Sequence, residues 1–303
     1  MYSINMRLGL VQLFEAIIGK TENTLVSDTL KSDTLPPILD GGQGELFGEP
    51  GNDNRIDFFT NINETDIAIV MGMHAKTGID FSVLHPEILG FFELSRDAFG
   101  AIVYAWMSEL PVTGRIIRFG KKILASQNTV KNANEPDQRG EVEKMRRKAA
   151  ELAATDRGDP DAQTVREAAY KVWHEIHRLM GLLRFYPDEK GVYTAQCEPD
   201  HFMLPALGPH FMERFGETPW AIIDNKRRLS LCCETGRTGA CGKTLVFSAA
   251  GENAFSFDRR QGGEWEDLWK HYHKIINNES RNNPDLQKRF MPTRYWKYLT
   301  ELY

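Results

Sequence analysis

A chain of 303 residues, 41% hydrophobic and 26% charged, has ordinary globular composition and enough length to bury a sizeable core. Its net charge of −5 excludes the strongly basic balance of an electrostatic nucleic-acid binder. No run approaches the ~18 apolar residues of a membrane span, and four Cys are too few for a disulfide scaffold. Residues 1–100 hold 15 Asp and Glu against 6 Lys and Arg, while the rest hold 27 against 31. An acidic front thus precedes a mildly basic back, which suits an anionic ligand on the back part or ordinary surface variation. The apolar run from Leu8 to Ile18 is interrupted by Glu15 and lacks a small-residue cleavage site. The expectation is therefore a cytoplasmic chain with no signal peptide and no membrane contact.

In chain order, Met6 to Ile18 reads as a short amphipathic helix. Thr21 to Asn54 is rich in Gly, Pro, Asp and Ser and reads as a loose linker, with Leu46-Phe47-Gly48 an isolated apolar spot. From Glu64 to about Ser126 the pattern is helical, with Pro111 ending one apolar helix. The next, Val112 to Leu124, divides by angle at about 100° per residue. Ile116, Ile117, Phe119, Ile123 and Leu124 fall on one arc and Arg115, Arg118, Lys121 and Lys122 on the other. Asn132 to Asp159 reads as a charged helical insertion. Asp159-Pro160 supplies an N-cap and a Pro at the first helical position. That helix is expected to run to about Met180 on a core stripe of Val165, Ala168, Ala169, Val172, Ile176, Leu179 and Met180.

Strand character begins after Leu182. Leu183-Arg184-Phe185 and Val192 to Cys197 look like a hairpin, and Trp220 to Asp224, Leu229 to Glu234 and Thr244 to Ser248 read as strands. Leu204 to Phe215 reads as a short helix. Trp265 to Asn277 reads as another, with Trp265, Leu268, Trp269, Tyr272 and Ile276 inward. The predicted class is α+β: a helical N-terminal part, a small, mainly antiparallel sheet in the C-terminal half, and a helical C-terminus. Residues 1–54 are expected to be a short helix and linker, and 55–303 a single domain with an insertion at about 132–159.

Several apparent motifs fail on spacing. His174-Glu175-Ile176-His177 has its His residues three apart, one short of the zincin pattern. Gly239-Ala240-Cys241-Gly242-Lys243-Thr244 ends like a phosphate loop but has Arg at position 237 where the leading Gly belongs, and a strand follows instead of a helix. Cys232 and Cys233, adjacent in a strand, point to opposite faces and make a poor zinc site with Cys241. No metal or cofactor is read from the sequence.

Two constellations survive. On the helix from Asp161 to Met180, Arg166, Tyr170, Trp173 and His177 lie within about 60° of arc, an aromatic and basic stripe suited to stacking on bases or to lining a domain interface. Glu198-Pro199-Asp200-His201 ends a strand and gathers two carboxylates and an imidazole. It reads as acid/base chemistry or, for Asp200, as a helix cap. His210, Arg214 and Asp224 are candidate members of that cluster.

The tail Asn283-Pro284-Asp285-Leu286-Gln287-Lys288-Arg289-Phe290-Met291-Pro292-Thr293-Arg294-Tyr295-Trp296-Lys297-Tyr298-Leu299-Thr300-Glu301 resembles the closing segment of a bacterial DNA-metabolism or DNA-repair protein family that carries a domain of unknown function. Glu175 to Phe185, Glu198 to His201, and Pro209-His210-Phe211 through Trp220 to Asp224 resemble it in the same order. The match is good from about 159 to the end, the core family region, and looser from Leu46. The first twenty residues lack the family's Asp-Gly opening, and 132–159 looks inserted. The resemblance implies a role beside a radical-SAM protein that repairs or modifies DNA, and kinship with domains fused ahead of uracil-DNA-glycosylase-like proteins.

Three expectations follow. The first is a DNA-associated accessory protein with a radical-SAM partner. Its phosphate contacts would be Arg115, Arg118, Lys122, Arg184, Arg214, Arg227, Arg294 and Lys297. The second is an enzyme acting on a nucleobase or sugar-phosphate through Glu175, His177, Arg178, Asp200 and His201. The third is a structural interaction module whose aromatic tail docks on a partner.

Overall fold

In the computed structural model, residues 8–20, 62–76, 78–130, 139–187, 191–235, 243–249, 264–281 and 283–299 are described. The expected linker, the apolar spot at Leu46-Phe47-Gly48 and the Gly-rich loop at 236–242 lie outside them. Contacts divide the chain into two compact units, Met1–Gly72 with Ile79–Val172, and Met73–Gly78 with Trp173–Tyr303, where the sequence reading has one domain from residue 55.

Unit 1 is helical. Its helices are α1 (Leu10–Ile18), most of α2 (Glu64–His74), α3 (Pro86–Leu94), α4 (Arg96–Met107), α5 (Thr113–Ser126), α6 (Arg139–Ala154) and the first part of α7 (Pro160–Leu182). Its core forms where the apolar stripes meet. Phe14 of α1 stacks on Phe99 of α4 at 4.8 Å, with Phe91 of α3 edge-on at 5.7 Å. Gly120 on α5 admits close packing by α1, since a Cβ there would meet three Ile17 side-chain atoms at 2.7–2.8 Å. The fully buried Asp66 fastens α2 to α1 by accepting the N–H groups of Val11 at 2.8 Å and Asn63 at 3.0 Å. Burial pushes its carboxyl above the usual range against those hydrogen bonds.

The predicted division of α5 is present. Ile116, Ile117, Phe119 and Ile123 are buried, and Arg118, Lys121 and Lys122 are exposed. The predicted start of α7 is also present: Asp159 Oδ1 accepts the N–H of Asp161 at 2.9 Å. The core stripe of α7 is buried through Leu179, with Met180 half-buried.

Unit 2 holds the rest of α7, a five-stranded sheet, α8 (Leu204–Phe215), α9 (Glu264–Ile276), α10 (Pro284–Phe290) and a closing 3₁₀ turn, Thr293–Tyr298. The strands are β1 (Tyr186–Pro187), β2 (Tyr193–Cys197), β3 (Trp220–Asp224), β4 (Leu229–Thr235) and β5 (Lys243–Ala249), in spatial order β1-β2-β3-β4-β5. Three pairings are antiparallel, as the α+β reading expects, but β2 and β3 run parallel with α8 as their crossover. The first strand is shorter than expected and begins at Tyr186, so Arg184 and Phe185 stay outside the sheet. β3 sits between β2 and β4 and is buried almost throughout, as a central strand must be. In β4, Cys233 is buried and Cys232 half-buried, the alternation that adjacent strand residues require.

The predicted inward face of α9 is not inward: Leu268, Trp269, Tyr272 and Ile276 are all exposed. Periodicity locates an apolar face but does not say what covers it. Among the described residues, no helix is long and apolar enough to cross a membrane.

Candidate functional site

The parallel register pairs Cys197 with Asp224, so the segments leaving β2 and β3 emerge side by side at the carboxyl ends of the strands. In open sheets that edge is where ligands commonly sit. One segment is Glu198-Pro199-Asp200-His201 and the other is Asn225-Lys226-Arg227-Arg228. The backbone N–H of Asn225 reaches the Cys197 carbonyl at 2.9 Å and extends the ladder past both strand ends.

Glu175 projects into this edge from α7 and is 2% exposed, flanked on its helix by Val172, Ile176 and Leu179. A carboxylate taken from water must be compensated by donors. Glu175 accepts the backbone N–H groups of Asp200 at 2.9 Å and His201 at 3.1 Å, Arg294 Nη2 at 3.2 Å, and a short hydrogen bond from the Tyr295 hydroxyl. Arg294 Nη2 also meets Asp200 Oδ2 at 2.7 Å, and the guanidinium lies 4.8 Å over the Tyr295 ring. Burial, then the Glu175 carboxylate, pushes the Tyr295 phenol well above the usual tyrosine range, so Tyr295 stays a donor.

A second fastening lies beside it. Asp224 is fully buried; its Oδ1 accepts the N–H groups of Lys226 and Arg227, and its Oδ2 pairs with Arg227 Nη1 at 2.7 Å. Arg227 then donates to the carbonyls of Pro199 at 3.1 Å and Asp200 at 2.9 Å, pinning the β2 loop. The closing turn forms a third. Lys297 Nζ lies 2.7 Å from Glu198 Oε2, and the Tyr298 hydroxyl donates to Glu198 Oε1 at 2.9 Å. Asn225 Nδ2 donates to the Tyr298 oxygen and to Gln196, each at 3.1 Å. Burial opposes ionisation of Glu198, but Lys297 and Tyr298 outweigh it and hold its carboxyl below the usual range. Tyr295 and Leu299 are buried, so the Arg294-Tyr295-Trp296-Lys297 tail closes the core of its own unit.

The proposed acid/base residues therefore divide. Glu175 and Asp200 meet through Arg294. His201 supplies a backbone N–H to Glu175. His177 lies elsewhere on α7, exposed and stacked on Trp173 at 5.7 Å and 12° between planes. Arg178 is half-buried beside it in sequence. Asp200 does not cap α8, whose N-cap position is Met203. His210 is held below the usual imidazole range, first by burial and then by Arg214. Among the described residues, no group of three or more His, Cys, Asp or Glu is placed to hold a metal.

The expected phosphate contacts are mostly engaged within the fold. Arg118 makes a two-pronged contact with Asp161 at 2.9 Å, and Arg115 lies 3.4 Å from the same carboxylate. Lys122 pairs with Asp159 at 2.6 Å. Arg184 donates to the Gly181 carbonyl at 2.9 Å, closing the C-terminus of α7, and lies 5.8 Å over the Trp269 ring. Arg227, Arg294 and Lys297 are committed as described above, and Arg214 is exposed in the last turn of α8.

The partners of Glu175 were not identifiable from the sequence. The available signal was compositional, a tail dense in Tyr and Arg near the end of a chain whose helix α7 carries one inward Glu. The rings of the α7 aromatic stripe lie in solvent: Tyr170 is 62% and Trp173 47% exposed.

The family described as a domain of unknown function, DUF4130, matches residues 118–301. The match covers more than half of the chain, from α5 through the closing turn, and the chain belongs to that family. Neither a curated protein nor a solved structure matches it.

Proposed function

We propose that this protein is a DNA-repair or DNA-modification accessory factor that acts beside a radical-SAM partner, and that it contacts nucleic acid through the solvent face of α7. One observation carries the nucleic-acid part. Trp173 is 47% exposed and stacks in parallel on the exposed His177, a ring pair held open to solvent on a rigid helix. Stacking platforms of this kind take unpaired bases and tolerate any sequence. The partner class rests on the family resemblance of the residues from about 159 to the end.

Because Arg118, Lys122, Arg227, Arg294 and Lys297 already face carboxylates, the electrostatic share of binding is expected to be small. The reading therefore favours single strands over duplex. The acid/base alternative has less support, since Glu175 accepts hydrogen bonds from four internal donors.

Fluorescence anisotropy of a labelled single-stranded oligonucleotide at low salt tests the proposal. Trp173→Ala should weaken binding by roughly ten-fold or more, the effect of losing one stacked base at ~1–3 kcal/mol. An oligonucleotide that does not bind at all, or that binds the variant as well as the parent, overturns it. Co-purification of a radical-SAM protein with the native chain tests the partner.

A further inference from the structure

Ser95 separates α3 from α4 and caps α4, its Oγ accepting the N–H of Ala98 at 3.2 Å. The chain turns there, and α6 packs across the turn. Between them lies a cavity of about 430 Å³, lined by Glu93, Ser95, Arg96 and Asp97 on one side and by Arg147 and Glu151 on the other. Small-molecule pockets have volumes of roughly 300–1,000 Å³, but their walls are mostly apolar, whereas this one is charged. Three supports hold its shape. The Arg96 guanidinium lies 5.1 Å over the Phe92 ring, which meets the buried Phe99 edge-on at 5.2 Å. Asp97 pairs with Arg166 at 2.6 Å. Ala150 and Ala154 are buried and seat α6.

The remaining charges say what fits it. Arg147 and Glu151 are four apart on α6, the spacing of a helical ion pair, and Glu93 and Arg96 are three apart across Ser95. None of these four side chains makes a hydrogen bond or ion pair with another described residue. With Asp97 matched by Arg166, two guanidiniums and two carboxylates are left around one space. An apolar molecule would take water from all four and return nothing. Phosphate would be drawn to both guanidiniums but repelled by both carboxylates, and a diamine the reverse. A molecule with one carboxylate and one ammonium satisfies both signs. Guanidiniums take a carboxylate through parallel N–H donors, and an ammonium offers three donors to the carboxylates. We propose that this cavity binds a small zwitterion, a free amino acid or a dipeptide, with its carboxylate at Arg96 and Arg147 and its ammonium at Glu93 and Glu151. The segment that reads from the sequence as a charged insertion contains α6, and so supplies one wall of the site.

Isothermal titration calorimetry of the full chain tests this. The free amino acids and glycylglycine serve as zwitterions, and inorganic phosphate and putrescine as probes of one sign. At least one zwitterion should bind with a dissociation constant of about 1 mM or lower, and more tightly than either one-sign probe. Arg147→Gln and Glu151→Gln change exposed positions on α6, so the fold should survive, which circular dichroism checks. Each should weaken that binding at least about ten-fold, the effect of losing a charge-assisted contact. A panel in which no zwitterion binds overturns the proposal. So does binding indifferent to either variant, or phosphate or putrescine binding as tightly as the best zwitterion.

Discussion

The carboxyl-end cluster of β2 and β3 and the outer faces of α7 and α9 hold the residues most like a working site, and they are built in opposite ways. In the cluster the two carboxylates at its centre are buried and saturated: Glu175 has four donors, and Asp224 has two backbone N–H groups and a guanidinium. On the helices the aromatic rings stand in solvent, Trp173 against His177 and Trp269 against Tyr272 at 5.8 Å. A carboxylate whose lone pairs are all engaged acts as a fastener, whereas a ring with an open face is a surface a ligand can reach. Residue type alone suggests the opposite assignment, with catalysis in the cluster and packing on the helices.

The largest expected effect tests the fastener. Glu175→Ala leaves the Tyr295 hydroxyl and two backbone N–H groups without their acceptor, and Arg294 with Asp200 as its remaining carboxylate. Breaking a buried ion pair in this way costs ~3–5 kcal/mol, and the partial exposure of Arg294 places this case near the lower end. Tyr295→Phe removes one hydrogen bond to a charged group and should cost ~1.5–3 kcal/mol. Urea unfolding measures both. A loss below about 1 kcal/mol for Glu175→Ala would return Glu175 to the list of catalytic candidates. Trp173→Ala should stay within about 0.5 kcal/mol of the parent, as an exposed position does.

The next effect is read by pH. Burial pushes the His74 imidazole down to about 4. An unfolded imidazole takes its proton near 6.5, so between about 6.5 and 4 the unfolded chain holds a proton that the folded chain excludes. Stability should fall as pH drops through that window, by up to about 3 kcal/mol, and His74→Gln should flatten this limb of the pH profile. Asp159 and Glu198 act lower on the scale. Burial raises both, but Lys122 for the first, and Lys297 with Tyr298 for the second, hold them below the usual range. Their contribution is full above the unfolded carboxylate pKa, near 4, and disappears as pH falls below it. A profile flat from pH 7 to 4.5 would show that His74 is solvated.

Local pattern made much of the fold readable. The Asp159-Pro160 start of α7, the two faces of α5, and the limits of α8 and β3 follow from caps, turns and periodicity within a dozen residues. The parallel pairing of β2 with β3 was not readable in this way, because it depends on how the α8 crossover returns the chain. The cluster was half readable. Glu198 to His201 was singled out as a group, but the donors to Glu175 lie 25, 26, 119 and 120 residues away from it, and no local spacing signals such a closure. The outward face of α9 shows the same limit, since an amphipathic pattern is identical whether a core or a second chain covers it.

The smallest expected effect separates structural cations from nucleic-acid contacts. Arg118 is 43% exposed and its partner Asp161 is 19% exposed, so solvent screens the pair, and Arg118→Ala should cost less than about 1 kcal/mol of stability. The more telling readout is the salt dependence of oligonucleotide binding. A cation that neutralises a phosphate contributes about 0.7–0.9 to the slope of log K against log salt. If Arg118 is committed to Asp161 at the start of α7, Arg118→Ala should leave that slope unchanged while slightly lowering the urea midpoint. A slope reduced by about one would instead mean that the guanidinium leaves Asp161 for phosphate. The basic face of α5 would then be a phosphate-binding surface in its own right.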